Sequence, residues 1–188
     1  MPSITLGEVV TAGYDRIVFD TSILEATHAS PDIQRAYRRT VRRELARQEF
    51  VTVRPVLEEA QRHFWNRESR ELIRNVEASC YDITPVQNEY REWYNLLEQE
   101  AARRGIIPKD LSGRRTDVKL ASLAFTLGRL QPVAFISGDR ALVDMVFDWQ
   151  RLAPGIIDPF YFWQAQAKFV PYTAEDAQQY RSRMRIAV

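Results

Sequence analysis

The sequence predicts an α/β fold of three layers, with helices on both faces of a central, mostly parallel sheet. Short apolar runs without polar alternation, Ile17 to Phe19 and Val133 to Ile136, read as strands buried on both faces. Segments of helical period separate them, the arrangement that builds crossover units and parallel pairing. At 188 residues the chain suits one well-cored domain, 1–188, and carries no internal repeat or interdomain linker.

In chain order, "RIVFDTSIL", residues 16 to 24, ends its strand abruptly in Asp20, Thr21 and Ser22. An acid in that place is either a helix-starting cap or part of a site. "ASPDIQRAYRRTVRRELARQ" follows as a helix, with Ser30 as its N-cap and Pro31 at the first helical position. Tyr37, Val41, Leu45 and Gln48 make an inward stripe, and Arg35, Arg38, Arg39 and Arg42 share another face. "FVTV", residues 50 to 53, reads as a second short strand, after which Pro55 opens a long helical segment running to Ala78.

Thr84, Pro85 and Gln87 signal a further helix start and Gly105 its stop. Val86, Tyr90, Trp93, Leu97 and Ala101 keep helical spacing between them, which reads as core. "PKDLSGRR" is a loop leading to a helix that begins at Thr116 or Asp117 and buries Val118, Ala121, Ala124 and Phe125. The strand Val133 to Ile136, a turn at Gly138 and a helix starting near Asp139 repeat the opening pattern. "GIIDPFYFW" adds a last short strand and helix, and the polar tail from Val170 reads as peripheral.

Composition excludes several classes of function. The chain is 45% hydrophobic and 27% charged, and no apolar stretch approaches the roughly 18 to 20 residues that a membrane helix requires. Its first residues, "MPSITLGEVV", lack the basic start and apolar core of an export signal, which makes the cytoplasm the expected compartment. One cysteine, Cys80, rules out an internal disulfide or a cysteine metal cluster. No glycine-rich phosphate loop or serine elbow occurs, and His28 and His63 are too few and too scattered for a zinc site. Net charge is only +1, yet positive charge concentrates early, where six arginines between Arg35 and Arg47 face Glu44 alone. Such a run is either a solvated helix face or a surface for backbone phosphates.

The acids carry the chemistry. In a parallel sheet every strand presents its carboxyl end to the same edge, where ligands bind. Asp20 and Asp139 each follow a buried strand, Asp117 opens a helix, and Glu58 and Glu59 lie near the start of another. Each one alone is explained as a helix cap or first-turn residue. Gathered together they would repel unless a cation joined them, and their natural partner is Mg²⁺ or Mn²⁺, which prefer oxygen ligands.

The strand ending in Asp20-Thr21-Ser22, the glutamate in the helix after the second strand, the aspartate opening "TDVKLASLAF" and the strand closing in Ser137-Gly138-Asp139 resemble the PIN-domain nucleases over about residues 16 to 162. The resemblance implies metal-dependent cleavage of RNA, as in the toxins of toxin-antitoxin pairs and in RNA-processing enzymes, and leaves residues 163–188 peripheral. It makes Asp20, Asp117 and Asp139 metal-site acids. Val56 and Ala60 place Glu59 in the family's frame for the fourth, with Glu58 in reserve. Ser137 matches a hydroxyl that would orient the last acid or a water on the metal. Asp144 is a candidate fifth acid, expected to be exposed. Hydrolysis would use one or two Mg²⁺ ions, with Asp20 the bridge between two. Arg38, Arg39 and Arg42, or Arg114 and Arg115, would hold the RNA backbone.

Compact toxins of the family have a shorter helical region than Thr84 to Arg104 provides here. The added length would shape an RNA cleft, bind a partner such as an antitoxin, or join a homodimer. Two other readings stand beside the nuclease: a binding protein that kept the fold without catalysis, and a scaffold acting through the adjacent aromatics Phe160 to Trp163.

Overall fold

A computed structural model describes residues 2–47, 49–64, 70–103, 115–152 and 156–186. Four parallel strands build its sheet: β1 (Arg16–Phe19), β2 (Phe50–Val51), β3 (Val133–Ser137) and β4 (Ile157–Trp163). A fifth, β5 (Lys168–Pro171), runs antiparallel to β4, and the spatial order is β2-β1-β3-β4-β5. β1 pairs in parallel with β2 on one side and with β3 on the other, Phe19 lying opposite Ile136. All five residues of β3 are buried, which is why its sequence shows no alternation.

The helices are α1 (Leu6–Thr11), α2 (Pro31–Leu45), α3 (Arg54–His63), α4 (Arg70–Ala78), α5 (Gln87–Arg103), α6 (Thr116–Gly128), α7 (Arg140–Trp149) and α8 (Ala174–Ile186). Successive side chains of a strand point to opposite faces, so β4 shows which helices cover which side. Tyr37 of α2 stacks on Phe162 at 5.1 Å, and Phe162 stacks on Phe169 of β5 at 5.0 Å. Tyr161, facing the other way, meets Arg140 of α7, and Ile157 lies against Gly128 at the end of α6. The result is the expected three-layer α/β/α fold with a mostly parallel sheet.

Most elements fall where their residues require. Ser30 caps α2 by accepting from the Ile33 amide, and Tyr37, Val41 and Leu45 are buried along it. Gln48, assigned to the same stripe, lies outside the described residues, as do Gly105 and most of the loop before Arg115. In α5 Leu97 and Ala101 are buried, and Trp93 packs on Phe125 of α6 with ring centres 5.2 Å apart. That contact explains the aromatic stripe as core.

Several expectations need correction. The long helix after Pro55 is two helices: α3 stops at Phe64, whose φ of −115° and ψ of 74° leave helical geometry, and α4 begins at Arg70. The second strand covers only Phe50–Val51, because Thr52 turns to bridge Cys80. An unforeseen N-terminal helix, α1, starts with a capping box between Thr5 and Glu8, and Ile4 bridges β5. The contiguous aromatics form a strand, not a helix, with Phe160 and Phe162 buried and Trp163 exposed.

The C-terminal segment is integral rather than peripheral: Phe169, Tyr172 and Ala177 are core residues. Asp144, expected to be exposed, is buried and accepts from the Tyr172 hydroxyl at 3.1 Å and from Arg181 Nε at 3.1 Å. Arg181 also pairs with Asp148 at 3.3 Å, which fixes α8 to α7. Burial and the Asp144 charge raise the Tyr172 phenol above its ordinary pKa. Asp144→Asn keeps an acceptor for Tyr172 but removes one of the two carboxylates facing the half-exposed Arg181, leaving it Asp148. It should cost about 1 to 3 kcal/mol in denaturant unfolding, less than removal of one partner from a fully buried pair. No helix among the described residues is long and apolar enough to cross a membrane.

Candidate active site

From β1 the chain crosses to β2 on one side and later returns to β3 on the other, so the carboxyl ends of β1 and β3 part around a crevice. A cleft of about 480 Å³ opens at that edge. It is lined by the three residues after β1, by Glu25, by the end of α3, by Asp117 of α6, by Gly138, Asp139 and Arg140, and by Gln164. Asp20, Glu59, Asp117 and Asp139 therefore share one cleft, delivered by four separate segments. Glu58, the reserve for Glu59, does not line it.

Asp20 is a cap and also lines the cleft. It caps the short 3-10 turn Thr21–Leu24, its Oδ1 accepting from the Thr21 amide at 2.7 Å. Its Oδ2 accepts from Ser22 Oγ at 2.7 Å and from Ser137 Oγ at 2.9 Å. Three of roughly four lone-pair directions are thus filled, which locks the carboxylate and leaves one for a ligand. Ser137 is fully buried and also accepts from the Asp139 amide at 2.9 Å, so a single hydroxyl joins both strand-end acids. On the other side Ser22 accepts from the Gly138 amide at 2.7 Å. A β-carbon at Gly138 would stand 3.1 Å from Ser22 and from Gln164, which is why the turn is built with glycine.

Asp139 is the N-cap of α7, accepting from Ala141 and Leu142 amides at 2.8 and 3.3 Å. Glu59 Oε2 accepts from Thr21 Oγ1 at 2.8 Å. The Asp-Thr-Ser run therefore does more than end a strand: each hydroxyl aims one carboxylate.

Of the arginines assigned to RNA, those among the described residues do not line this cleft. Arg38 and Arg39 are exposed on α2 and Arg42 is half-buried there; none of the three lines it. Arg115 has left-handed backbone geometry, φ 45° and ψ 55°, at the entry to α6, and pairs with Glu98 of α5 at 3.1 Å. Arg114 lies outside the described residues. Sequence reasoning missed Glu25, His63, Arg140 and Gln164 as lining residues. His63 had a signal, since it stands four residues after Glu59 on the same helix face.

The donor set fits a hard cation in kind: carboxylates and hydroxyls, all oxygen. In the present side-chain arrangement, no three His, Cys, Asp or Glu side chains among the described residues stand close enough to hold one ion. Glu59 is drawn to Thr21 and Asp139 to its helix, so joint coordination requires them to turn. Comparisons with protein-family models, with curated proteins and with solved structures give no match to this chain.

Proposed function

We propose that the protein is a metal-dependent ribonuclease of PIN-like architecture that hydrolyses phosphodiester bonds at the acidic cleft. One observation carries the reading: four acids from four segments converge at the carboxyl edge of the parallel pair β1 and β3. Helix capping explains Asp20 and Asp139 singly but gives no reason for Glu59 and Asp117 to share their cleft.

Asp20, Glu59, Asp117 and Asp139 would hold the Mg²⁺ or Mn²⁺. Such an ion, when bound, activates water and neutralises charge on phosphate oxygens. The chain's own part is orientation. Ser137 and Ser22 fix Asp20, Thr21 steadies Glu59 until an ion draws it, and the cap on α7 holds Asp139. Ser137→Ala removes one donor from Asp20 and the acceptor for the Asp139 amide. By analogy with outer-shell partners of metal sites, it should lower cleavage by about 10- to 100-fold with little change in substrate affinity, read as kcat against KM.

The test is incubation of labelled single-stranded and structured RNAs with Mn²⁺, Mg²⁺ or chelator. Cleavage that depends on the metal supports the reading, and its absence in every condition refutes it. The same pool, with DNA counterparts, shows whether the ribose hydroxyl matters. A toxin role with an antitoxin partner, or a homodimer, belongs to the same proposal and is read from growth arrest on expression and from solution mass.

A second reading, a PIN-like binding protein without catalysis, is favoured by the separation of the acids in the present conformation. The two readings part on metal affinity.

A further inference from the structure

We propose that Arg140 is the residue through which the acidic cleft grips a phosphodiester, and that a cage of three tyrosines, one of them from the C-terminal helix, holds it there. The identity of the ligand as an RNA backbone rests on the nuclease reading above.

Five acids among the described residues line the cleft: Asp20, Glu25, Glu59, Asp117 and Asp139. A polyanion entering such a site meets repulsion that fixed positive charge must offset. Among the described residues that line it, Arg140 is the one arginine or lysine. Its guanidinium carbon lies 5.8 Å from the ring centre of Tyr161, 6.0 Å from Tyr172 and 5.6 Å from Tyr180. Among the described residues no carboxylate pairs with it. Asp144, the nearby candidate, is engaged by Tyr172 and Arg181. Its polar partners are the Asp176 carbonyl, 3.5 Å from Nη2, and the Tyr172 side chain, while Nε is buried with no hydrogen-bond partner.

Aromatic faces attract a guanidinium without neutralising it. A carboxylate partner would neutralise the charge, whereas the cage and its neutral partners leave that charge, and the remaining guanidinium donors, to an anion. The cage also explains why α8 is fastened so firmly. Tyr180 and Asp176 belong to that helix, and Arg181 ties it to Asp144 and Asp148. The C-terminal helix is in this account a wall of the site.

The experiment is equilibrium binding of a labelled mixed-sequence single-stranded RNA to the full chain, in chelator, over a range of salt concentrations. Arg140→Gln should weaken binding about tenfold, the loss of one charge-assisted contact. It should also make the slope of log affinity against log salt shallower by about 0.7, one phosphate on a single strand. Arg140→Lys should keep the slope, and Tyr180→Leu should shift affinity in the same direction as Arg140→Gln. Arg183→Gln, which removes an exposed charge from α8, should keep the wild-type slope.

The proposal is overturned if Arg140→Gln keeps both affinity and slope, if Arg183→Gln loses as much, or if the wild type binds no RNA. Should Arg140→Gln not fold, the lysine and Tyr180 variants decide by the same slopes. Arg140-dependent binding without any cleavage sinks the nuclease reading alone. Metal-dependent cleavage with a KM indifferent to Arg140→Gln sinks this proposal alone.

Discussion

Asp20→Asn is expected to reduce metal-dependent RNA cleavage by about a thousandfold, equivalent to roughly 4 kcal/mol of transition-state stabilisation. The substitution is nearly isosteric. An asparagine carbonyl can still accept from the Thr21 amide or from a serine, so the turn Thr21–Leu24 should persist and the fold with it. What disappears is the charge, and with it the carboxylate that three donors aim into the cleft. Single-turnover cleavage of one RNA by wild type and variant, with matched circular dichroism spectra, separates chemistry from folding. A variant that cleaves as fast as wild type would reduce Asp20 to a helix cap.

The largest structural effect is expected at Phe162. Fully buried on β4, it stacks on Tyr37 of α2 and on Phe169 of β5, and so joins a covering helix to the antiparallel edge of the sheet. Phe162→Ala should cost about 3 to 5 kcal/mol, through lost transfer energy and the cavity left behind. Domains of this kind are stable by only about 5 to 15 kcal/mol in total. The loss is read as a lower urea midpoint at unchanged slope. Tyr37 also donates its hydroxyl to the Ile23 carbonyl at 2.6 Å, so it has an anchor that Phe162 lacks.

The legible part of this protein is the part governed by short-range pattern. Burial on both faces erases alternation in β1 and β3, and that erasure marks them as central parallel strands. An acid that follows such a strand lies at the strand's carboxyl end, and the parallel pairing of β1 with β3 then brings Asp20 and Asp139 to one edge. Glu59 and Glu58 are neighbours on a helix that turns about 100° per residue, and only one of the two lines the cleft.

What stayed hidden depends on partners distant in sequence. Asp144 reads as an exposed helix residue because Arg181, which neutralises it, stands 37 positions later. The integral role of the C-terminal segment rests on Phe169 and Tyr172, two apolar anchors in an otherwise polar tail. Arg140 gains its meaning from tyrosines at 161, 172 and 180, contributed by β4, the residues after β5 and α8. The break between α3 and α4 had no proline or glycine to announce it.

The most direct measurement is titration of the protein with Mn²⁺, comparing wild type with Asp20→Asn by calorimetry or by the paramagnetic relaxation of water protons. An acidic cleft that closes on a cation predicts saturable binding of one or two ions by the wild type and its loss in the variant. Equal, negligible affinity in both proteins would contradict the account, leaving Asp20 and Asp139 as helix caps and the cleft as a site without metal chemistry.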